Sequence, residues 1–254
     1  MSSTPIEPVT PTAAPDEAGM SLLERSIAVF ASPANAWRGL RHQVQFWFPM
    51  VLLAVLTSAF TAVMWERAIV PDMRVGWQQA VDNGQMTQEQ MDKTEASMAN
   101  PVARGVSVAV YGVFTAVWIL LVGLGTWFGV GFILGTRFPY RLALEVAAWS
   151  ALITIPATLV TGGLAWSQES LRHATLGLGM LLPESDTPNK LLAGARAFLN
   201  VIGPFSIWSL VVSILGASAL SGAPRKAVAW VSVALFLVFA LFGGAMAAMF
   251  GPGR

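Results

Sequence analysis

At 254 residues, 55% of them hydrophobic and only 11% charged, the chain lies far from the roughly 25% charged composition of soluble domains, which excludes an ordinary water-soluble fold. A formal net charge of +1 leaves no basic patch to neutralise phosphates, so no nucleic-acid partner is expected. Cysteine is absent, which excludes disulfides, thiol catalysis and thiolate metal sites.

Residues 1–20 are rich in Pro, Ser, Thr and Ala. They bury too little apolar surface to offset the entropy of ordering, so a disordered tail is expected there. They also lack the basic start and apolar stretch of a signal peptide. Ser21 and Glu24 fit a capping box, with Leu23, Ile27 and Phe30 on one helical face behind it. Ser32 and Pro33 are the N-cap and first position of a second short helix, with Trp37 and Leu40 on its apolar side and Arg38 and Arg41 off it. Residues 21–44 are therefore expected as amphipathic interfacial helices. They either lie on the membrane or cap the helix bundle.

Residues 45–250 form the membrane domain, with five spans at about 46–65, 106–134, 142–166, 202–220 and 227–250. A long polar loop, 66–104, follows the first span; within it Met73 to Met98 is expected as helical pieces broken near Asp82-Asn83-Gly84, the second opening at Thr87 and ending at Asn100-Pro101. The second span carries no charge, and at about 1.5 Å per residue it is about 43 Å long, so it must tilt, kink or run past the interface. Its second half contains the GxxxG pairs Gly125/Gly129 and Gly131/Gly135, and it is expected to be the central helix against which the others pack. Pro156 is expected to kink the third span. Ser209 and Ser213 put small polar groups on one packing face of the fourth.

Arg25, Arg38 and Arg41 precede the first span, Arg137 and Arg141 separate spans two and three, and Arg225 and Lys226 separate spans four and five. This alternation places the N-terminus in the cytoplasm and the C-terminus outside. Arginine outnumbers lysine, and alanine and glycine abound, a coding bias that suggests a bacterium with a GC-rich genome; the expected location is a bacterial inner membrane.

No catalytic constellation emerges. His42 and His173 fall on opposite sides of the membrane, and no metalloprotease, nucleophile-elbow or phosphate-loop pattern occurs. No metal or cofactor is expected. Glu145 is the one acidic residue within a span. It stands four residues after Arg141, so an ion pair at the interface explains it, with a proton or substrate role as the rival reading. The tryptophans, several at span ends, are expected as interface anchors.

Phe30-Ala31-Ser32-Pro33 with Trp37 and Leu40, the turn Leu134 to Arg137 with Tyr140-Arg141, and the stretch Asn200 to Gly222 followed by Arg225-Lys226 together resemble the Yip family of Ypt/Rab-interacting membrane proteins, in particular its bacterial branch. The resemblance covers about residues 21–250 and implies an all-α fold with five spans. For eukaryotic members it implies roles in vesicle trafficking through Rab-type GTPases and in membrane shaping. The DLxGP-type motif of those members is absent here, which weakens the case for a Rab-type GTPase partner. The expected function is a non-enzymatic integral membrane protein that scaffolds or shapes the membrane or organises a membrane complex. Its expected partners are membrane lipids, further copies of itself or other membrane proteins. The alternative is a small transporter or channel subunit.

Overall fold

The structure, a computed structural model, describes residues 19–168, 174–182 and 189–250. The expected disordered tail therefore lies, up to residue 18, outside the described residues, as does His173. The described residues form helices and no strand. In chain order these are α1 (Leu22–Ala31), α2 (Trp47–Met64), α3 (Val70–Asp82), α4 (Gln88–Ala99), α5 (Pro101–Thr126), α6 (Tyr140–Ala151), α7 (Thr154–Gln168), α8 (Lys190–Val201), α9 (Pro204–Ser221) and α10 (Arg225–Phe250). Five helical stretches are long and apolar enough to cross a membrane: Trp47–Asp82, Pro101–Ile133, Tyr140–Ser167, Pro204–Ser221 and Arg225–Met249.

The polar region 66–104 holds the two helical pieces expected within it, α3 and α4, with the break falling after Asp82 and the second piece capped by Thr87. Helix α2 does not stop at Trp65; it widens into a π-helical turn at Trp65–Ile69 and continues as α3. Pro71 has no N–H to offer a carbonyl four residues back, and the wide turn places it at the start of α3, where that loss is tolerated. Asn100 and Pro101 do end α4, but they also start α5 at once: the Asn100 side chain accepts the Val102 N–H at 2.9 Å, and proline occupies the first position.

Helix α5 passes into a second π-helical turn at Trp127–Ile133, which ends at Gly135 in a left-handed conformation (φ +64°). In the third crossing Pro156 acts four residues upstream. The carbonyl of Leu152, which Pro156 cannot serve, accepts from Ile155 N–H at 3.0 Å, and the chain breaks between α6 and α7 there. The Thr154 hydroxyl donates to Ala151 O at 2.7 Å and covers a second freed carbonyl.

The central helix is α6, not the second crossing. Every residue from Leu142 to Ser150 is buried, with α1, α2, α5 and α9 packed around it. The second crossing is mostly exposed, with Val106, Val110, Val113, Phe114 and Leu121 facing outward. Its glycines touch three neighbours: Gly112 lies against Ala54 and Ser58 of α2, Gly123 against Leu144 of α6, and Gly129 against Val231 and Leu235 of α10.

The tightness of this last contact sets a test. At Gly129 a Cβ would come within 2.6 Å of Val231 and 2.7 Å of Leu235, whereas Gly105 on the same helix has open space around it. Gly129→Leu is expected to destabilise the protein by about 1–3 kcal/mol through overpacking. Gly105→Leu should leave it unchanged. Thermal unfolding of the two variants in detergent checks the difference.

Candidate functional site

At the α1 end of the bundle the backbone between Ser32 and Phe46 has no regular helix. The second amphipathic helix expected from Ser32 does not form. Its N–H groups bond three residues back, as in Asn35 N–H to Ser32 O and Arg38 N–H to Asn35 O, and Gly39 turns left-handed (φ +74°). The carbonyls this leaves over are taken by two arginines. Arg25, from α1, donates to Ala36 O and to Arg38 O at 2.9 Å, and to the Gln45 side chain at 2.7 Å. Arg141, from α6, donates to Leu40 O at 3.2 Å, Arg41 O at 2.7 Å and Gln43 O at 2.9 Å. The segment 36–45 is thus a strap held between two guanidinium groups.

Glu145 completes the junction. It is fully buried and accepts from Gln45 N–H at 2.8 Å on one oxygen and from the Trp149 indole N–H at 3.2 Å on the other. Arg141 stands 4.0 Å from Glu145, at the outer limit of an ion pair, and its hydrogen bonds go to the strap. Arg25 lies 5.7 Å above the Trp149 ring, a cation–π arrangement in a dry setting. Burial pulls the Arg25 guanidinium below its ordinary range and the Glu145 charge opposes that shift; arginine stays charged nonetheless.

Helix α1 has the capping box its sequence announces. The Glu24 carboxylate accepts from Ser21 N–H at 2.9 Å, and the Ser21 hydroxyl accepts from Glu24 N–H at 3.3 Å. The Ser21 N–H and, after it, the Ser21 hydroxyl, which donates to the same carboxylate at 2.9 Å, hold the Glu24 carboxyl below the usual carboxylate range.

The polarity of α1 is inverted relative to a helix on a soluble protein. Arg25 is 0% exposed, while Leu23, Ile27 and Phe30 are 71%, 59% and 41% exposed. Arg25, counted from the sequence among the basic residues that precede the first span, is therefore a buried tie. Trp37, expected among the membrane-interface residues, is also inside. It lies against Gly216 of α9, where a Cβ would come within 2.6 Å of the indole, and its N–H has no partner among the described residues. Leu40 is buried with it, whereas Arg38 and Arg41 are exposed.

The packing residues are dispersed. Gly125 lies against the Phe239 ring of α10, and Gly131 lies against Phe138 O and the Trp127 ring within its own turn. Gly135 is the left-handed turn residue with nothing beside it, so it stands off any packing face. Ser209 donates to Ser150 O at 3.1 Å, linking α9 to α6, and Ser213 is half-buried on the same helix.

The far end of the bundle is marked by charge. Arg104 pairs with Glu66 at 3.2 Å and donates to Ala62 O at 3.0 Å, and Arg67 lies 4.3 Å over the Trp166 ring. Beyond it, Trp65, Glu66, Arg74, Asp92, Glu95 and Met98 line a cleft of about 480 Å³ bridged by an Arg74–Glu95 ion pair. A second, apolar groove of about 270 Å³ lies between α2 and α7. Glu145 lines neither. No group of three or more His, Asp or Glu among the described residues could hold a metal ion.

Five apolar crossings in an all-helical chain define a multi-pass membrane protein. A polar junction at one end holds the N-terminal strap onto the central helix. The chain belongs to the Yip1 family: the Yip1 domain model matches residues 27–247, most of its length. No curated protein and no solved structure matches it.

From its sequence Arg25 carries a topology signal only, and its packing role was missed. The usable signal was its spacing: Arg25, Ala28 and Val29 share one face, and small residues mark the packing side of membrane helices. If the two guanidiniums hold the strap, Arg25→Gln and Arg141→Gln should each speed trypsin cleavage after Arg41 in the intact detergent-solubilised protein. An unchanged rate would show that the strap is held by other contacts.

Proposed function

We propose that the protein is a non-enzymatic membrane scaffold that shapes the bilayer or organises a membrane complex through its N-terminal segment. The observation that carries this reading is the inversion of α1, which turns Leu23, Ile27 and Phe30 outward and Arg25 inward. Such a helix is stable where its outer surroundings are apolar, as at the boundary between headgroups and acyl chains. Membership in the Yip1 family, a non-catalytic family of membrane proteins, supports the same class. In this reading residues 21–44 are the interfacial unit and 45–250 the spanning domain. The N-terminus is cytoplasmic and the C-terminus lies outside. Arg38, Arg41, Arg137, Arg225 and Lys226 support that orientation, and a bacterial inner membrane is the proposed location. The partners are lipids and other membrane proteins, further copies of the chain included. Family members interact with Rab-type GTPases, but the motif those members carry is absent here.

The rival reading, a small transporter or channel subunit, draws less support. Its best candidate group, Glu145, has both oxygens hydrogen-bonded and no exposure. The scaffold reading is tested by reconstituting the full chain into vesicles at rising protein-to-lipid ratio and measuring vesicle size. The wild type should give smaller vesicles than lipid alone. The triple variant Leu23→Glu, Ile27→Glu, Phe30→Glu, with its helix content intact, should lose that effect. Equal vesicle sizes for both proteins would overturn membrane shaping through α1.

A further inference from the structure

The described segment 174–182, ATLGLGMLL, contains no charged residue, yet it joins two crossings and would ordinarily face water. Leu178, Met180 and Leu181 are 45%, 66% and 75% exposed. Three independent features fix how deep they lie.

The first is the attachment of the segment. Leu178 N–H donates to Ile202 O at 2.9 Å, and Gly177 and Gly179 press directly on Asn200 with no room for a Cβ. A Cβ on Gly203 would come within 2.8 Å of Leu176 O. The segment is therefore level with residues 200–203, where α8 meets α9. The second is the length of α9. Its 18 residues rise about 27 Å, so Pro204 stands at the far edge of a hydrocarbon core roughly 30 Å thick. The third comes from α10. Gly244 is nineteen residues on from Arg225, a rise of about 29 Å, and it packs against Gly194 of α8, where a Cβ on Gly194 would come within 2.8 Å of Gly244 O. Phe198 flanks the same contact, so α8 meets α9 at or just inside that edge.

From this placement we infer that residues 177–182 form a hook inserted into the leaflet opposite the one α1 faces, with Leu178, Met180 and Leu181 in contact with lipid. Part of its backbone is paired inside the protein, as irregular chain at this depth requires, and Arg196 of α8 reaches Leu182 O at 3.5 Å. Met180 N–H donates to Gly177 O and Leu182 N–H to Gly179 O, both at 3.2 Å, and the glycines bring the hook close enough to α8 for the Leu178–Ile202 bond. The occupant of the exposed face is bilayer lipid, because the depth of the hook follows from the same crossings that make the chain a membrane protein. The hook rests on no part of the α1 reading, and it stands or falls separately.

The chain has no cysteine, so a single engineered one takes a spin label without background. Full-length Leu181→Cys would be labelled and reconstituted in phosphatidylcholine and phosphatidylglycerol vesicles, and its relaxation by oxygen and by a water-soluble nickel chelate compared. Val113→Cys, on the exposed face of α5, is the reference for the hydrocarbon core; Glu89→Cys, on the exposed face of α4, is the reference for water. The expected result at Leu181 is oxygen relaxation above nickel relaxation, as at Val113, with most of the nickel effect seen at Glu89 lost. Nickel relaxation equal to that at Glu89 would place the hook in water and overturn the inference. Shielding from both reagents, with line broadening that disappears on dilution with unlabelled protein, would overturn it in favour of contact with a second copy.

Discussion

The structure depends on two guanidinium groups that serve as hydrogen-bond donors to a stretch of backbone with too few of its own. Irregular chain next to a bilayer leaves carbonyls unsatisfied, and each one buried without a partner costs about 1–3 kcal/mol. Arg25 and Arg141 between them cover Ala36, Arg38, Leu40, Arg41 and Gln43. Arginine suits this role because its planar head carries five donors and keeps its charge. With its carbonyls covered, the strap can cross the end of α6, seat Trp37 against Gly216 and set α1 with its apolar side outward. Loss of this junction would free all three features together.

The junction also explains why α6 is central. Its sequence, YRLALEVAAWSA, is too mixed to suit a lipid-facing helix, but its alanines allow neighbours to approach, and its polar residues find partners only inside protein. Hydropathy ranks the crossings in nearly the reverse of their burial. The second and fifth are the most apolar, at mean hydropathy 2.2 and 2.3, and they are the most exposed; the third, at 1.6, is the most buried. In water the apolar element is driven to the centre. In a bilayer the solvent is itself apolar, and that driving force between helices disappears.

The same physics separates what was legible in the sequence from what was not. The five crossings were legible because length and apolarity alone set them. The capping box at Ser21 and the role of Pro156 as a helix breaker were legible because both act locally. The helical pieces α3 and α4 were legible as well, in their spacing and in the break at Asp82-Asn83-Gly84; the π-helical turn that carries α2 past its membrane boundary into α3 was not, because it leaves no periodic mark. The glycine-rich half of the second crossing was read as one packing face. Its glycines divide among contacts to α10, contacts within their own turn and the left-handed end of the helix. The spacing in fact separates the pairs: Gly131 stands six residues after Gly125, about 240° round a regular helix, so the two pairs do not share one face. Trp37 was misplaced because its partner, Gly216, is far away in the chain.

The charge balance of the junction argues that it specifies a position rather than adding net stability. Buried ionic clusters often give no more stability than well-packed apolar residues of the same volume. An apolar replacement for Arg25 and Glu145 could fill the same space, but it would leave the strap carbonyls and Gln45 N–H without partners. Two guanidiniums face one carboxylate, so most of their donors have no anionic acceptor nearby. Those donors must find neutral oxygens, and the strap supplies them. Glu145 offsets one of the two charges, and it holds the strap from the other side through Gln45 N–H. The excess of donors over carboxylate oxygens thus favours a single placement of the strap, the one in which its free carbonyls meet the unused N–H groups of both arginines.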